Sequence, residues 1–205
     1  MRTRRTGLSV LAAVAVVLAG SSPAQAADSN VALNALATAT TAGGLPAAQC
    51  TLGSGPAKAV DGRASNIYTD KWCVPSGTPT LTIQLPKTLI ASGYLVNKIV
   101  VKHAGFAGEN PAYNTRAFSV NVRRWQPCSG QVPILNTPQG FGYVTNNTAN
   151  QTVFSASYMD NVDQVQLVIQ APTQGTGGAT RIYEVEVWGT PSANNLLDNC
   201  YNPFA

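Results

Sequence analysis

The chain has 205 residues, 13 of them Lys or Arg and nine Asp or Glu, and only 11% are charged. Arg2, Arg4 and Arg5 take three of the positive charges into the first five positions, so the remainder is close to neutral. That gives little support for binding nucleic acid or an anionic membrane, and the length beyond residue 26 suits one domain with a sizeable core rather than two.

The apolar run from Leu8 to Gly20 follows those arginines and precedes Ser21-Ser22-Pro23 and Ala24-Gln25-Ala26. This order reads as a signal peptide over residues 1–26, cut before Ala27, and predicts a secreted, extracellular bacterial protein. A spanning helix is the competing reading, but the run is shorter than the roughly 20 residues needed to cross a bilayer. No cysteine follows it to carry a lipid anchor, and Arg4-Arg5 leave the export route open.

From there the chain alternates between loops and two-residue periodicity, the pattern of strands with one face on a core. Residues 41–56, 105–114, 136–150 and 172–180 are rich in Gly, Pro, Ser, Thr and Asn and read as loops. Between them, Leu81, Ile83 and Leu85 alternate with polar residues, Ile99-Val100-Val101 forms a more buried run, and Phe118, Val120 and Val122 alternate again. Arg123-Arg124 then reads as a solvated strand end, Trp125–Phe141 as an insertion, and Asp160 with Asp163 as a turn between strands. Val165, Leu167 and Ile169, then Tyr183, Val185 and Val187, complete the pattern. Short strands at fairly regular spacing, with no capped helical stripe, predict an all-β sandwich over residues 27–190 and a tail over 191–205. Four cysteines, Cys50, Cys73, Cys128 and Cys200, suit two disulfides in an exported chain. Of the three possible pairings we expect Cys50 with Cys73, and Cys128 with Cys200 as a C-terminal clasp.

Four blocks in order carry a resemblance: Asn34-Ala35, Ala59-Val60-Asp61-Gly62, the stretch from His103-Ala104-Gly105 to Asn114-Thr115-Arg116-Ala117-Phe118, and the closing run Arg181 to Gly189. Together they resemble the discoidin, or coagulation-factor type C, domain family, galactose-binding-like and inclusive of carbohydrate-binding module family 32. The resemblance implies a jelly-roll β-sandwich that binds its ligand through loops at one end and holds a structural calcium. Carried over by position, Asp61 and Glu184 would supply side-chain oxygens to that Ca2+, and Lys58, Arg63 and Tyr183 backbone carbonyls. Asn66 stands where the family has Thr or Ser, and its amide oxygen can serve a cation that takes six to eight oxygens. By itself, Asp61-Gly62 reads as a tight turn.

Sugars present hydroxyl pairs on one edge and C–H faces on another, which calls for amide and charged partners beside an aromatic ring. His103, Glu109, Asn114 and Arg116 supply the first, and Trp72, Tyr113, Phe106 and Tyr143 are loop aromatics. In related modules a His, an Arg and an Asn hold galactose-type sugars, which corresponds here to His103, Arg116 and Asn114. Each has a plain alternative: a structural histidine, an Arg116 ion pair with Glu109 or Asp70, and a Trp72 that packs the disulfide.

The expected partner is therefore a glycan, galactose-type or another plant or microbial sugar, with no nucleic acid, no membrane insertion and a monomeric state. A protein- or lipid-binding adhesion module is the alternative, with Leu45-Pro46 and Phe141-Gly142-Tyr143 as apolar tips that lack basic flanks. A glycosidase needs two carboxylates about 5 to 9.5 Å apart. Glu184 and Glu186 are the nearest approach, and one is assigned to calcium. No Gly-x-Ser-x-Gly elbow occurs, and no catalytic residue is assigned.

Overall fold

A computed structural model describes residues 27–40, 50, 54–75, 77–87, 93–124, 139–175 and 178–192. The signal segment, the Cys128–Cys200 clasp, Leu45-Pro46 and most of the 125–141 insertion lie outside them. The strands, all paired antiparallel, are β1 (Ser29–Asn30), β2 (Leu36–Thr40), β3 (Trp72–Val74), β4 (Thr80–Gln84), β5 (Tyr94–His103), β6 (Ala117–Arg124), β7 (Gln139–Val144), β8 (Gln151–Ala171) and β9 (Thr180–Pro191). Among the described residues no helix is long and apolar enough to cross a membrane.

β8 organises the sandwich. Its first half pairs with β5, which pairs with β9, and β9 carries β1 and β3. Its second half lies between β4 and β6, flanked by β2 and β7. The strand therefore runs down one layer and back up the other. The corner falls where the register slips near Val162 and Asn161 adopts a positive φ of 56°, a conformation that Asn tolerates better than most residues. The turn expected at Asp160 and Asp163 is thus a corner inside one strand, not a break between two. Arg123 and Arg124 hold it and are not free at a strand end. Arg123 makes a bidentate pair with Asp163, at 2.9 and 2.7 Å, and Arg124 donates to the Asp160 carbonyl at 2.8 Å.

The alternating residues fill the space between the layers as expected. Leu81, Ile83, Leu85, Ile99, Val101, Phe118, Val120, Val122, Val165, Leu167, Ile169, Val185 and Val187 are all buried in one cluster with Trp72, each side chain contributing about 1.5–3 kcal/mol for the larger aliphatics and aromatics. One expectation fails: β7 lies inside the stretch read as a loop. Its sequence Gln139 to Val144 carries two glycines, and Gly142 is where the Phe154 ring of β8 packs, leaving no room for a side chain. Phe154 in turn meets Phe118 edge-on, with ring centres 5.8 Å apart.

Cys50 and Cys73 form the expected disulfide, closing a loop whose constraint on the unfolded chain is worth roughly 3 kcal/mol. It fixes the segment that leads into β3, which lies on β9 through the pairs Trp72–Ile182 and Cys73–Arg181.

Candidate functional site

The end of the sandwich where β5 stops and β6 and β9 start gathers the loop segments 61–71, 104–116, 145–150, 172–175 and 178–179. Three amide side chains brace them. Asn114, fully buried, donates to the carbonyls of Thr148 and Ala149 and to Asn150 Oδ1, and accepts from the Gly105 amide at 2.7 Å. Gly105 has no space for a Cβ against Asn150, which is why glycine follows His103-Ala104. Asn147 donates to the Thr115 carbonyl at 2.9 Å. Gln174 Nε2 joins the carbonyls of Asn114 and Asn147 at 2.9 and 2.6 Å.

These contacts divide the sequence-derived ligand set of His103, Glu109, Asn114, Arg116, Trp72 and Tyr113. His103, Asn114 and Trp72 are buried and face no solvent; they shape the loops from beneath, a correction to their expected role as direct ligand contacts. Trp72 belongs to the core because β3 turns it inward against β9. His103 lies 2.9 Å from Thr152 Oγ1 and against the Phe118 ring. Burial pulls its pKa down to about 4, so it is held neutral. A pKa lower in the folded than in the unfolded chain gives stability that is complete above about pH 6.5 and is lost as pH falls toward 4. We expect denaturant midpoints measured across that window to show this fall, and His103→Gln to flatten it.

Glu109 is the centre of a charged floor. Its Oε1 accepts from the Lys71 ammonium and the Tyr183 hydroxyl, and its Oε2 lies 3.2 Å from Arg181 Nε. The Tyr183 hydroxyl also reaches the Ile67 carbonyl at 3.2 Å, and burial together with the Glu109 charge pushes this phenol far above its ordinary range. Arg181 stacks on Tyr113, 4.2 Å from the ring centre. Lys71, Arg181 and Tyr183 are almost fully enclosed. The sequence reading assigned none of these three to the ligand end, although in a chain so poor in charge an isolated Lys71 and Arg181 at strand starts were the available signal.

Arg116 does not form the ion pair with Glu109 or Asp70 that was its plain alternative. Glu109 is engaged by Lys71 and Arg181. Asp70 is held by its own loop: burial would raise its pKa, but donors from Asn66, Thr69 and Ser65 outweigh it and keep the carboxyl below the usual range. Half-buried Arg116 makes one side-chain hydrogen bond among the described residues, to the Gln174 carbonyl at 3.3 Å. Gln174 is anchored in turn to the Ala112 carbonyl, which ties the Arg116 side chain to the Pro111–Tyr113 turn through Gln174. There Tyr113 is 42% exposed; Phe106, equally exposed, lies under the Lys102 ammonium, and Tyr68 is also exposed. Tyr143 lies on β7, exposed.

The second cluster joins the 58–66 loop to β9. Gly62, in the left-handed region at φ 75°, donates its amide to Glu184 Oε2 at 3.1 Å. Asp61 accepts from the Arg63 amide and the Lys58 ammonium, both at 3.0 Å. Glu184 is 1% exposed and its Oε1 has no partner among the described residues. Burial raises its pKa to about 8, with the charges of Asp61 and Glu186 adding to the effect. Tyr183 is passed over in the β5–β9 register between Lys102–Glu184 and His103–Ile182, as in a bulge, where the extra residue leaves the ladder. Asn66 Oδ1 accepts from the Tyr68 amide at 2.9 Å. A buried carboxylate oxygen without a donor among the described residues is what an oxygen-seeking cation complements.

No protein-family model matches the chain, and no curated protein matches it. Among solved structures it is similar to a family 32 carbohydrate-binding module of Streptococcus pneumoniae EndoD, with 21% identity and a TM-score of 0.57 over 79% of this chain and 100% of that one. It is similar to chitosan-binding module 2, in complex with chitotriose, from a chitosanase/glucanase of Paenibacillus sp. IK-5, with 20% identity and a TM-score of 0.52 over 78% and 100%. A Streptococcus pneumoniae fucose-binding module matches with 13% identity and a TM-score of 0.54 over 79% and 96%. At these identities the likeness establishes the fold, a galactose-binding-like, discoidin-type β-sandwich.

Proposed function

We propose that the protein is a secreted carbohydrate-binding module, without catalytic activity of its own, that holds glycans at the braced loop end of the sandwich. The observation that carries this reading is Arg116, a forked donor with one side-chain hydrogen bond among the described residues, on the same loop as the exposed Tyr113 and braced by Asn114, Asn147 and Gln174. A guanidinium suits vicinal hydroxyls and an aromatic face suits sugar C–H groups. Loops braced beforehand lose less entropy on binding. That the solved structures of like fold are named for binding glycans supports the same reading.

Calcium would be held by Asp61 and Glu184 with Asn66 and the carbonyls of Lys58, Arg63 and Tyr183. Its contribution is charge compensation, fixing the 58–66 loop on β9 without taking part in sugar recognition.

The test is a glycan-array screen of the purified protein, with and without calcium, beside Arg116→Ala. Selective binding that the variant loses is the expected result. A folded protein that binds no glycan overturns the reading and favours a protein or lipid partner.

A further inference from the structure

Resting on that glycan-binding reading, we infer that the site selects sugars bearing an acidic group, a uronate carboxylate or a sulfate ester. Among the described residues, the charges on the loops at this end are Arg63, Lys71, Arg116 and Arg181 against Asp61, Asp70 and Glu109, with Asp61 and Arg63 in the 58–66 cluster. Glu109 is shared by Lys71 and Arg181. Asp70 is directed into the 65–69 segment, where Ser65, Asn66 and Thr69 supply its donors. Lys102, at the edge of the group beneath Phe106, is matched by Glu186 at 2.6 Å. Apart from Arg63 of the 58–66 cluster, Arg116 is left as the cation without a counter-charge among the described residues, its one side-chain partner a neutral carbonyl at 3.3 Å.

In a site for neutral sugars a carboxylate would normally fix such an arginine and share the sugar hydroxyls with it. Among the described residues that partner is missing, and a ligand that brings its own anion completes the pair. The planar fork of Arg matches the two oxygens of a carboxylate or sulfate with parallel N–H···O bonds. Tyr113, stacked on Arg181 on one side and exposed, offers the ring against which the sugar carrying that group would lie. The Arg116 backbone is fixed on both sides, its amide to Ala171 and its carbonyl to Asn147, each within 2.9 Å, so the cation is presented from a rigid base.

Isothermal titration of the purified protein tests this, using short oligogalacturonates, neutral galacto-oligosaccharides of equal length and sulfated galactan oligosaccharides, with free calcium buffered to one level. At least one acidic series is expected to bind about ten- to a hundredfold more tightly than the neutral one, the range for gaining a charge-assisted hydrogen bond. That margin should shrink at high salt, be lost in Arg116→Gln and survive in part in Arg116→Lys. Lys87→Gln removes the same charge from an exposed position beyond β4, away from these loops, and should leave the margin intact. Equal affinity for neutral and acidic series, or an equal loss in Lys87→Gln, overturns the inference while glycan binding stands. Binding to none of them, with none on the array, removes the glycan-binding reading itself.

Discussion

Glu109→Ala is expected to destabilise the protein by about 3–5 kcal/mol, the cost of leaving buried charges without their partner. The variant takes away the carboxylate that Lys71 and Arg181 share, with side chains 7% and 5% exposed, and removes one of the two acceptors of the Tyr183 hydroxyl. Glu109→Gln should cost less, since its amide oxygen still accepts while the charge is lost. Urea denaturation of the three proteins at neutral pH measures the differences. A Glu109→Ala loss below about 1 kcal/mol, the scale of a surface ion pair, would mean that water already reaches the network.

Calcium is expected to raise the melting temperature, and Glu184→Gln to abolish the rise. At a hundredfold excess over its dissociation constant a ligand specific to the folded state adds about 2.7 kcal/mol, which for a domain of this size corresponds to roughly 5–10 °C. Without metal, Glu184 titrates near pH 8 against an ordinary value of 4.5. The folded chain then binds a proton that the unfolded chain has released, so metal-free stability should fall as pH rises from about 4.5 to about 8. Calcium should remove that fall by holding the carboxylate in its charged form. Magnesium should be the weaker stabiliser, since it demands near-octahedral geometry and gives up its water reluctantly. Melting curves with calcium, magnesium or chelator across this pH range decide the matter; no calcium-dependent shift at any pH would exclude the proposed metal set.

The strands legible in the sequence were those with one face in the core and the other in water, such as Phe118 to Val122 and Val165 to Ile169. The first half of β8 gave no such signal, because Ser155, Ala156, Ser157 and Tyr158 are all exposed and alternation needs a buried face. β7 was hidden by its two glycines, of which Gly142 makes room for the ring of Phe154. At the candidate site, the sequence drew attention to the 103–116 stretch but could not distinguish a residue with donors to spare from one that holds the loop. Asn114 and Arg116 are two positions apart; one is buried among backbone carbonyls and the other has donors to spare. The floor was out of reach for a different reason. Lys71, Glu109 and Arg181 lie far apart along the chain, and only the antiparallel placement of β3 on β9 brings the cations to one carboxylate.

The path of β8 bears on how the molecule comes apart. Gln151 and Ala171, its two ends, lie at the same end of the sandwich, while its corner is anchored at the other by Arg123, Arg124, Asp160 and Asp163. Both layers share this one strand as a hydrogen-bonding partner, through β5 in one and β4 and β6 in the other. Unfolding is therefore expected to be one cooperative event, and the loops at the candidate site, though made of irregular backbone, are rooted in the strand whose loss would end the fold.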